Sequence, residues 1–256
     1  LTIDIQTLIG QRPHLKDPLE LYDKCRRFHQ QITQLLSEIK PAETPEQAKA
    51  YPPKIGAEIS QLFASIFGLP GEVIEPLGRL QEDGKLDFML LPTGETPEPA
   101  SLPCSKDELA GILFLLARPY FLALQESFGL NGSQWQDGRC PLCSAKPALS
   151  SIIEGPKRNL HCSFCGTSGP YRFIGCPDCG TTDADKLQTI LSEDEPGFRV
   201  ITCDACRSYV KVLESPVLEE MTIDMADLAS LPLDIIAPQK GYRRRAPNPI
   251  SLKDIE

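Results

Sequence analysis

Eight cysteines of the 256-residue chain stand in four pairs of identical C-x-x-C spacing: Cys140/Cys143, Cys162/Cys165, Cys176/Cys179 and Cys203/Cys206. Eighteen residues lie between the first and second pairs, ten between the second and third, and 23 between the third and fourth. A C-x-x-C turn points both sulfurs at one centre, and backbone N–H groups of the turn can donate to the thiolates. Two such turns at the ends of a hairpin complete a tetrahedron of sulfur. Where thiols are kept reduced, this spacing implies metal ligation rather than disulfides. Pro141 and Pro177 stiffen two of the turns. Gly166 and Gly180 follow the last cysteine of two turns, where a positive φ is often needed.

Eight thiols supply two four-sulfur sites. Sequential pairing is favoured because each half is a complete hairpin: Cys140, Cys143, Cys162 and Cys165 in one site, Cys176, Cys179, Cys203 and Cys206 in the other. Cross-braced pairing is the alternative, and His161, beside Cys162, could replace one sulfur. Both sites are coordinatively closed, which leaves no position for water or substrate and speaks against hydrolytic metal catalysis. Zinc or a single iron fits tetrahedral sulfur, so the expected cofactors are two metal ions, iron or zinc, one per site. Zinc would be structural. Iron would permit one-electron chemistry, and the Cys-Pro-x-Cys-Gly run from Cys176 to Gly180 looks like a rubredoxin knuckle. Iron–sulfur clusters fit less well, because their motifs seldom come as two hairpin-bridged pairs.

The elements that must hold these turns can be read around them. In the first half, Ala148 to Ile153 is expected as a strand, Glu154-Gly155-Pro156 as a turn, and Asn159 to His161 as the return. In the second half, the strand is Leu187 to Leu191, the turn Glu193 to Gly197, and the return Phe198 to Thr202. Further β segments follow at Tyr171 to Ile174 and Tyr209 to Leu213. Such hairpins have almost no apolar core of their own, so a metal must supply folding energy of about 10 kcal/mol or more per site. Upstream the pattern is helical. Asp17-Pro18-Leu19-Glu20 reads as a helix start, followed by apolar residues at steps of three and four from Leu19 to Ile39. Helices are expected over Lys54 to Phe67 and Glu72 to Glu82. The longest, Lys106 to Ser127, is opened by a Ser105/Glu108 capping box and kinked or split at Pro119. Pro92 to Pro99 reads as an exposed loop, and so does Glu43 to Pro53. The fold class is α+β. The expected domains are a helical N-terminal domain (1–134), two tandem rubredoxin-like modules (135–170 and 171–214), and a C-terminal helix and tail (215–256).

Charge narrows the function. The chain carries a formal net charge of −9, and within 137–214 nine Lys/Arg face ten Asp/Glu. Each divalent metal on four thiolates adds about −2. Phosphate-driven nucleic-acid binding needs the opposite sign, so a zinc-ribbon nucleic-acid binder is disfavoured. The basic cluster Lys240, Arg243, Arg244 and Arg245 reads as a solvated face. No run of about 18 apolar residues predicts a membrane span. The start, at Leu1 rather than Met, lacks the pattern of a secretory signal, so a short N-terminal piece is expected to be missing and the protein is expected to be cytoplasmic. No Ser-His-Asp set, P-loop or dinucleotide fingerprint stands in the sequence. His29 falls one residue past the apolar stripe, and neither Cys25 nor Cys104 has an assignable role. Asp227 and Asp234 are seven residues apart and share a helix face if Pro232 does not break it. With Asp224 they could pair with the metal modules or with Arg118, against the plainer reading of capping and solvated acids.

Several runs resemble the FdhE family of formate dehydrogenase accessory proteins. They are Ala117-Arg118-Pro119, Trp135, Arg139 to Cys143, Leu160 to Cys165, Cys176 to Gly180 and Cys203 to Val212. The tail adds Asp224 to Asp234, Gly241 to Arg244 and Asn248-Pro249. The resemblance covers about residues 105 to 250. Two positions depart from the pattern: Ser144 stands where a glycine often follows the first knuckle, and Gly166-Thr167-Ser168-Gly169 replaces an acidic residue and tryptophan. The resemblance implies a cytoplasmic assembly factor without enzymatic activity. It would act on the catalytic subunit of a formate dehydrogenase, or of a related molybdenum or tungsten enzyme, through rubredoxin-like modules able to hold iron. The competing reading is a rubredoxin-like electron-transfer or redox-sensing protein.

Overall fold

The computed structural model describes residues 3–37, 50–95, 103–147, 149–153 and 155–246. Expectations that fall on Ala148, Glu154, residues 41–49 and 96–99, Asn248 and Pro249 lie outside the described residues. The fold is mixed, with helices and a single large sheet. Contacts divide it into two compact units: Leu1–Glu20 with Leu130–Glu256, and Leu21–Gly129.

The chain opens with α1 (Ile5–Gln11), which the sequence reading did not foresee. Asp4 caps it by accepting from the Thr7 N–H at 2.9 Å. A 3₁₀ turn, Pro13–Leu15, leads into α2 (Lys16–Ser37), which begins one residue before the expected cap. Asp17 therefore lies inside the first turn, where its charge suits the helix dipole, and Pro18 still costs nothing because first-turn N–H groups have no partner.

The unit Leu21–Gly129 contains most of α2, then α3 (Pro53–Phe67), α4 (Gly71–Glu82) and α5 (Lys106–Phe128). The expected stripe of α2 delivers Phe28 and Ile32 into the core. Phe28 meets Phe63 of α3 edge-on at 5.1 Å between ring centroids. Gly68 and Gly129 end α3 and α5 in the left-handed conformation, at φ of 73° and 61°. The Ser105/Glu108 capping box forms with both reciprocal bonds, and α5 stays one helix across Pro119. Pro92 is buried within a 3₁₀ turn, Phe88–Thr93, rather than exposed. Tyr51, Phe88 and Tyr120 form an aromatic cluster whose Tyr51 hydroxyl donates to the Leu116 carbonyl at 2.9 Å. Since an N-cap hydroxyl is worth about 1 kcal/mol, Ser105→Ala is expected to lower the stability of this unit by that amount, read as a lower urea midpoint with the slope of the transition unchanged.

The other unit is built on the sheet. Its strands are β1 (Leu149–Ile152), β2 (Arg158–His161), β3 (Ser168–Tyr171), β4 (Leu187–Leu191), β5 (Phe198–Cys203) and β6 (Ser208–Glu214). Three short helices follow: α6 (Ser215–Glu220), α7 (Ile223–Ala229) and α8 (Leu231–Gln239). The two-residue strand β7 (Arg243–Arg244) comes last. The strand order is β3-β2-β1-β6-β5-β4, with β7 also paired to β6.

The two halves, tandem in sequence, are thus one sheet in space. Each half is an antiparallel meander, and β1 joins β6 in parallel, with Leu149 opposite Lys211 and Ile152 opposite Glu214. β6 is therefore central, which explains why Ser208 to Leu213 are all buried.

Two expectations are corrected here. The third strand of the first half is Ser168–Tyr171, not Tyr171 to Ile174, because pairing resumes as soon as the second knuckle closes. Phe173 and Ile174 are exposed instead. The C-terminal segment is three helices rather than one. The N-terminal segment belongs to the same unit: Ile3 donates its N–H to the Glu220 carbonyl at 2.7 Å, and Arg12 pairs with buried Glu195 at 2.5 Å and lies over the Phe198 ring.

Candidate metal centre

All four knuckles close in the same way. The residue after each second cysteine donates its N–H to the carbonyl of the first: Ser144 to Cys140, Gly166 to Cys162, Gly180 to Cys176 and Arg207 to Cys203, at 2.8 to 3.1 Å. Each of the four donors has a positive φ, between 57° and 77°. Glycine meets this requirement without strain at 166 and 180. Ser144 and Arg207 meet it at a cost, which the sequence reading missed because neither residue signals a left-handed turn. Ser144→Gly is expected to raise stability by up to about 1 kcal/mol, the relief of left-handed strain less the entropy glycine loses on folding, read as a higher denaturation midpoint.

The turns bring the eight sulfurs into two groups of four, Cys140/Cys143/Cys162/Cys165 and Cys176/Cys179/Cys203/Cys206, each with its sulfurs within 4.8 Å of one another. The grouping is sequential. In the first, Cys140–Cys165 sulfurs are 3.3 Å apart, Cys143–Cys162 3.4 Å and Cys143–Cys165 3.8 Å. In the second, Cys176–Cys206 sulfurs are 3.6 Å apart and Cys179–Cys203 3.7 Å. A tetrahedral ion with metal–sulfur bonds near 2.3 Å sets its sulfurs about 3.8 Å apart, so the donor sets fit such an ion. Two four-cysteine clusters that could hold metal ions are therefore present. In the first, burial pushes the Cys143 and Cys162 thiols up, and a bound cation would favour their thiolate forms.

His161 is not part of either group. Its Nδ1 meets the Ser168 hydroxyl at 2.7 Å and its Nε2 the Ser151 hydroxyl at 2.8 Å, which occupies both nitrogens. Burial pulls it down to about 4, so it is neutral near pH 7. It is a hydrogen-bonded core histidine.

The aspartates singled out in the tail converge on a buried site of their own. Lys211, fully buried on β6, reaches Asp227 Oδ1 and Asp234 Oδ2 at 2.6 Å each and donates to the Asp227 carbonyl at 2.7 Å. Arg244 of β7 spans the same two carboxylates at 2.7 and 3.1 Å, and the Tyr209 hydroxyl donates to Asp234 at 2.7 Å. Burial raises the cost of ionising Asp227, but Arg244 and Lys211 hold its carboxyl well below the usual range. The two acids do not share one helix: α7 ends at Ala229 and α8 begins at Leu231. They meet because both helices turn toward Lys211. Arg244 is only 11% exposed, so the basic cluster is not a uniformly solvated face. Asp224 lies in the first turn of α7.

The FdhE C-terminal domain family model matches residues 174–251, which carry the second cluster and all of this ion network. A protein FdhE homolog of Aquifex aeolicus is 28% identical over 142 residues, 54% of this chain and 50% of that protein. One of Shewanella baltica is 34% identical over 120 residues, 45% of this chain and 39% of that protein. Over these residues the chain is similar to the FdhE family. Its matched stretch spans about half or less of these FdhE relatives. The FdhE fold itself extends further: the crystal structure of the FdhE protein from Pseudomonas aeruginosa superposes with a TM-score of 0.62, covering 97% of this chain and 93% of that one at 22% identity.

Proposed function

We propose that this chain is an accessory factor in formate dehydrogenase maturation and that it binds the catalytic subunit through a fold held by two metal ions. The observation that carries the reading is the pair of four-cysteine clusters on the two halves of one sheet, in a chain whose residues 174–251 match the FdhE C-terminal domain model. Cys140, Cys143, Cys162 and Cys165 would hold one ion, and Cys176, Cys179, Cys203 and Cys206 the other, each iron or zinc. With all four positions taken by sulfur, such an ion would shape a binding surface or carry an electron and would have no place to bind a substrate.

The chain divides functionally into a helical region (1–134), two metal modules (135–170 and 171–214) and a bracing tail (215–256), and it acts in the cytoplasm. No helix among the described residues is long and apolar enough to cross a membrane. The test is a pull-down of the catalytic subunit with the metal-loaded chain. Retention that is lost when the cysteines are replaced supports the reading, and clean absence of binding by the loaded chain overturns it. Metal analysis and a visible spectrum of anaerobically prepared protein separate a redox role from a structural one, because two zinc ions in colourless protein exclude electron transfer at these sites.

A further inference from the structure

The two clusters are built from the same turn but enclosed differently. In the first, all four cysteines are buried, and so are Leu142, Ser163 and Phe164, three of the four residues between the paired cysteines. Leu142 and Phe164 are the bulky apolar members of that set. In the second, the residues between the cysteines are Pro177, Asp178, Asp204 and Ala205, of which Asp204 and Ala205 are exposed and Asp178 is half-buried. No large apolar side chain stands there. Cys179 is exposed and Cys206 half-buried.

Cations also touch the knuckles of the second cluster, and two of them, Lys146 and Arg245, pair with Asp178 at 3.3 and 3.0 Å. Lys146 donates to the Pro177 and Asp178 carbonyls at 3.3 and 2.8 Å, and Arg245 donates to the Cys206 carbonyl at 3.3 Å. Arg172 donates to the Gly180 carbonyl at 3.4 Å. Arg158 is 2% exposed and donates to the Gly175 carbonyl, one residue before Cys176, at 2.8 Å. Its Nε and Nη2 have no partner among the described residues. A buried guanidinium without a carboxylate is costly unless negative charge lies close by, and a four-thiolate centre carrying about −2 provides it.

We propose that the two sites differ in role: the first is a permanent structural site, and the second is an exchangeable site for a thiophilic divalent metal, with Cys179 as the ligand released first. This rests on the metal reading above. Loss of a metal from a closed tetrahedral site requires one sulfur to let go and be replaced by an incoming ligand. Cys179 can do this in solvent, whereas every first-site sulfur is shielded by protein. Differences in the groups that surround metal ligands are worth about 10- to 100-fold in affinity.

The test uses the full chain loaded with two equivalents of zinc and challenged with excess EDTA, with released zinc followed over time. Two phases of one equivalent each are expected, the fast one at least about tenfold faster, in line with that range. Cys179→Ser is expected to delete the fast phase and keep the slow one. Brief N-ethylmaleimide labelling during the wild-type fast phase, mapped by mass spectrometry, is expected to mark Cys176, Cys179, Cys203 and Cys206. It decides the matter even if the variant fails to fold. Release of both ions at one rate, or first labelling of Cys140, Cys143, Cys162 or Cys165, overturns the proposal while leaving the metal reading intact. A chain that takes up no metal overturns both.

Discussion

Complete removal of metal is expected to unfold the sheet-bearing unit, and Cys143→Ser is the site-specific form of the same loss. β1, β2 and β3 are only four residues each, too short to bury a core, and two knuckles are the ends to which they are tied. In small domains a structural zinc contributes about 10–16 kcal/mol of apparent folding energy, more than a typical domain's whole stability. Without a cation, burial keeps the protons on Cys143 and Cys162, and only weak sulfur contacts remain at the centre. Prolonged chelation under denaturing conditions, followed by return to buffer, should yield protein that lacks near-ultraviolet circular dichroism from Trp135, which is buried in this unit. Readdition of zinc or ferrous iron should restore it. Cys143→Ser should bind at most one equivalent and lose the cooperative thermal transition of the sheet. A stripped chain with an unchanged signal and melting temperature would sink the idea that metal holds the fold.

Lys211→Met is expected to cost about 3–5 kcal/mol, the loss seen when one partner of a buried ion pair is removed. Lys211 is fully buried on the central strand, and the substitution leaves Asp227 and Asp234 sharing Arg244 alone. Those two carboxylates fix α7 and α8 against the sheet, so the loss should loosen the C-terminal helices first. Hydrogen exchange of Ile223–Gln239 reads this directly, beside the denaturant midpoint. The same network carries a pH dependence. Asp227 is held well below its unfolded value of about 3.8, so the stability it lends is fully present above that pH and is lost as pH falls below it. Asp227→Asn should lower stability near neutrality and flatten the loss below pH 4. An unchanged midpoint in Lys211→Met, or equal acid sensitivity in Asp227→Asn, would show that the network contributes little.

The knuckles were legible because their signal is local. Four C-x-x-C spacings name the ligands, and the closing hydrogen bond spans only four residues. Glycine at 166 and 180 marked two of the left-handed closures. Serine and arginine at 144 and 207 hid the other two, since those residues adopt that conformation only when a closed ring enforces it. Likewise the Ser105/Glu108 box and the glycines at 68 and 129 fixed helix ends by short-range chemistry. β3 was misplaced because Phe173 and Ile174 look like strand residues, and only pairing to β2 shows where the ladder runs.

By itself, then, the sequence named the eight sulfurs, favoured their sequential grouping into two halves and marked the helices upstream of them, all through interactions a few residues apart. The tertiary structure alone decided that the two halves form one sheet, because the β1–β6 pairing joins residues about 60 positions apart and no local pattern specifies a partner. It also decided the fate of charge. Read along the chain, Asp227 and Asp234 are candidates for pairing with no partner assigned, and Arg244 is one of a solvated basic cluster. In space they surround a buried lysine, where desolvation makes each indispensable to the others. The unequal enclosure of two turns with the same cysteine spacing belongs to the same class, for burial is a property of everything that packs against a residue and not of its neighbours in sequence.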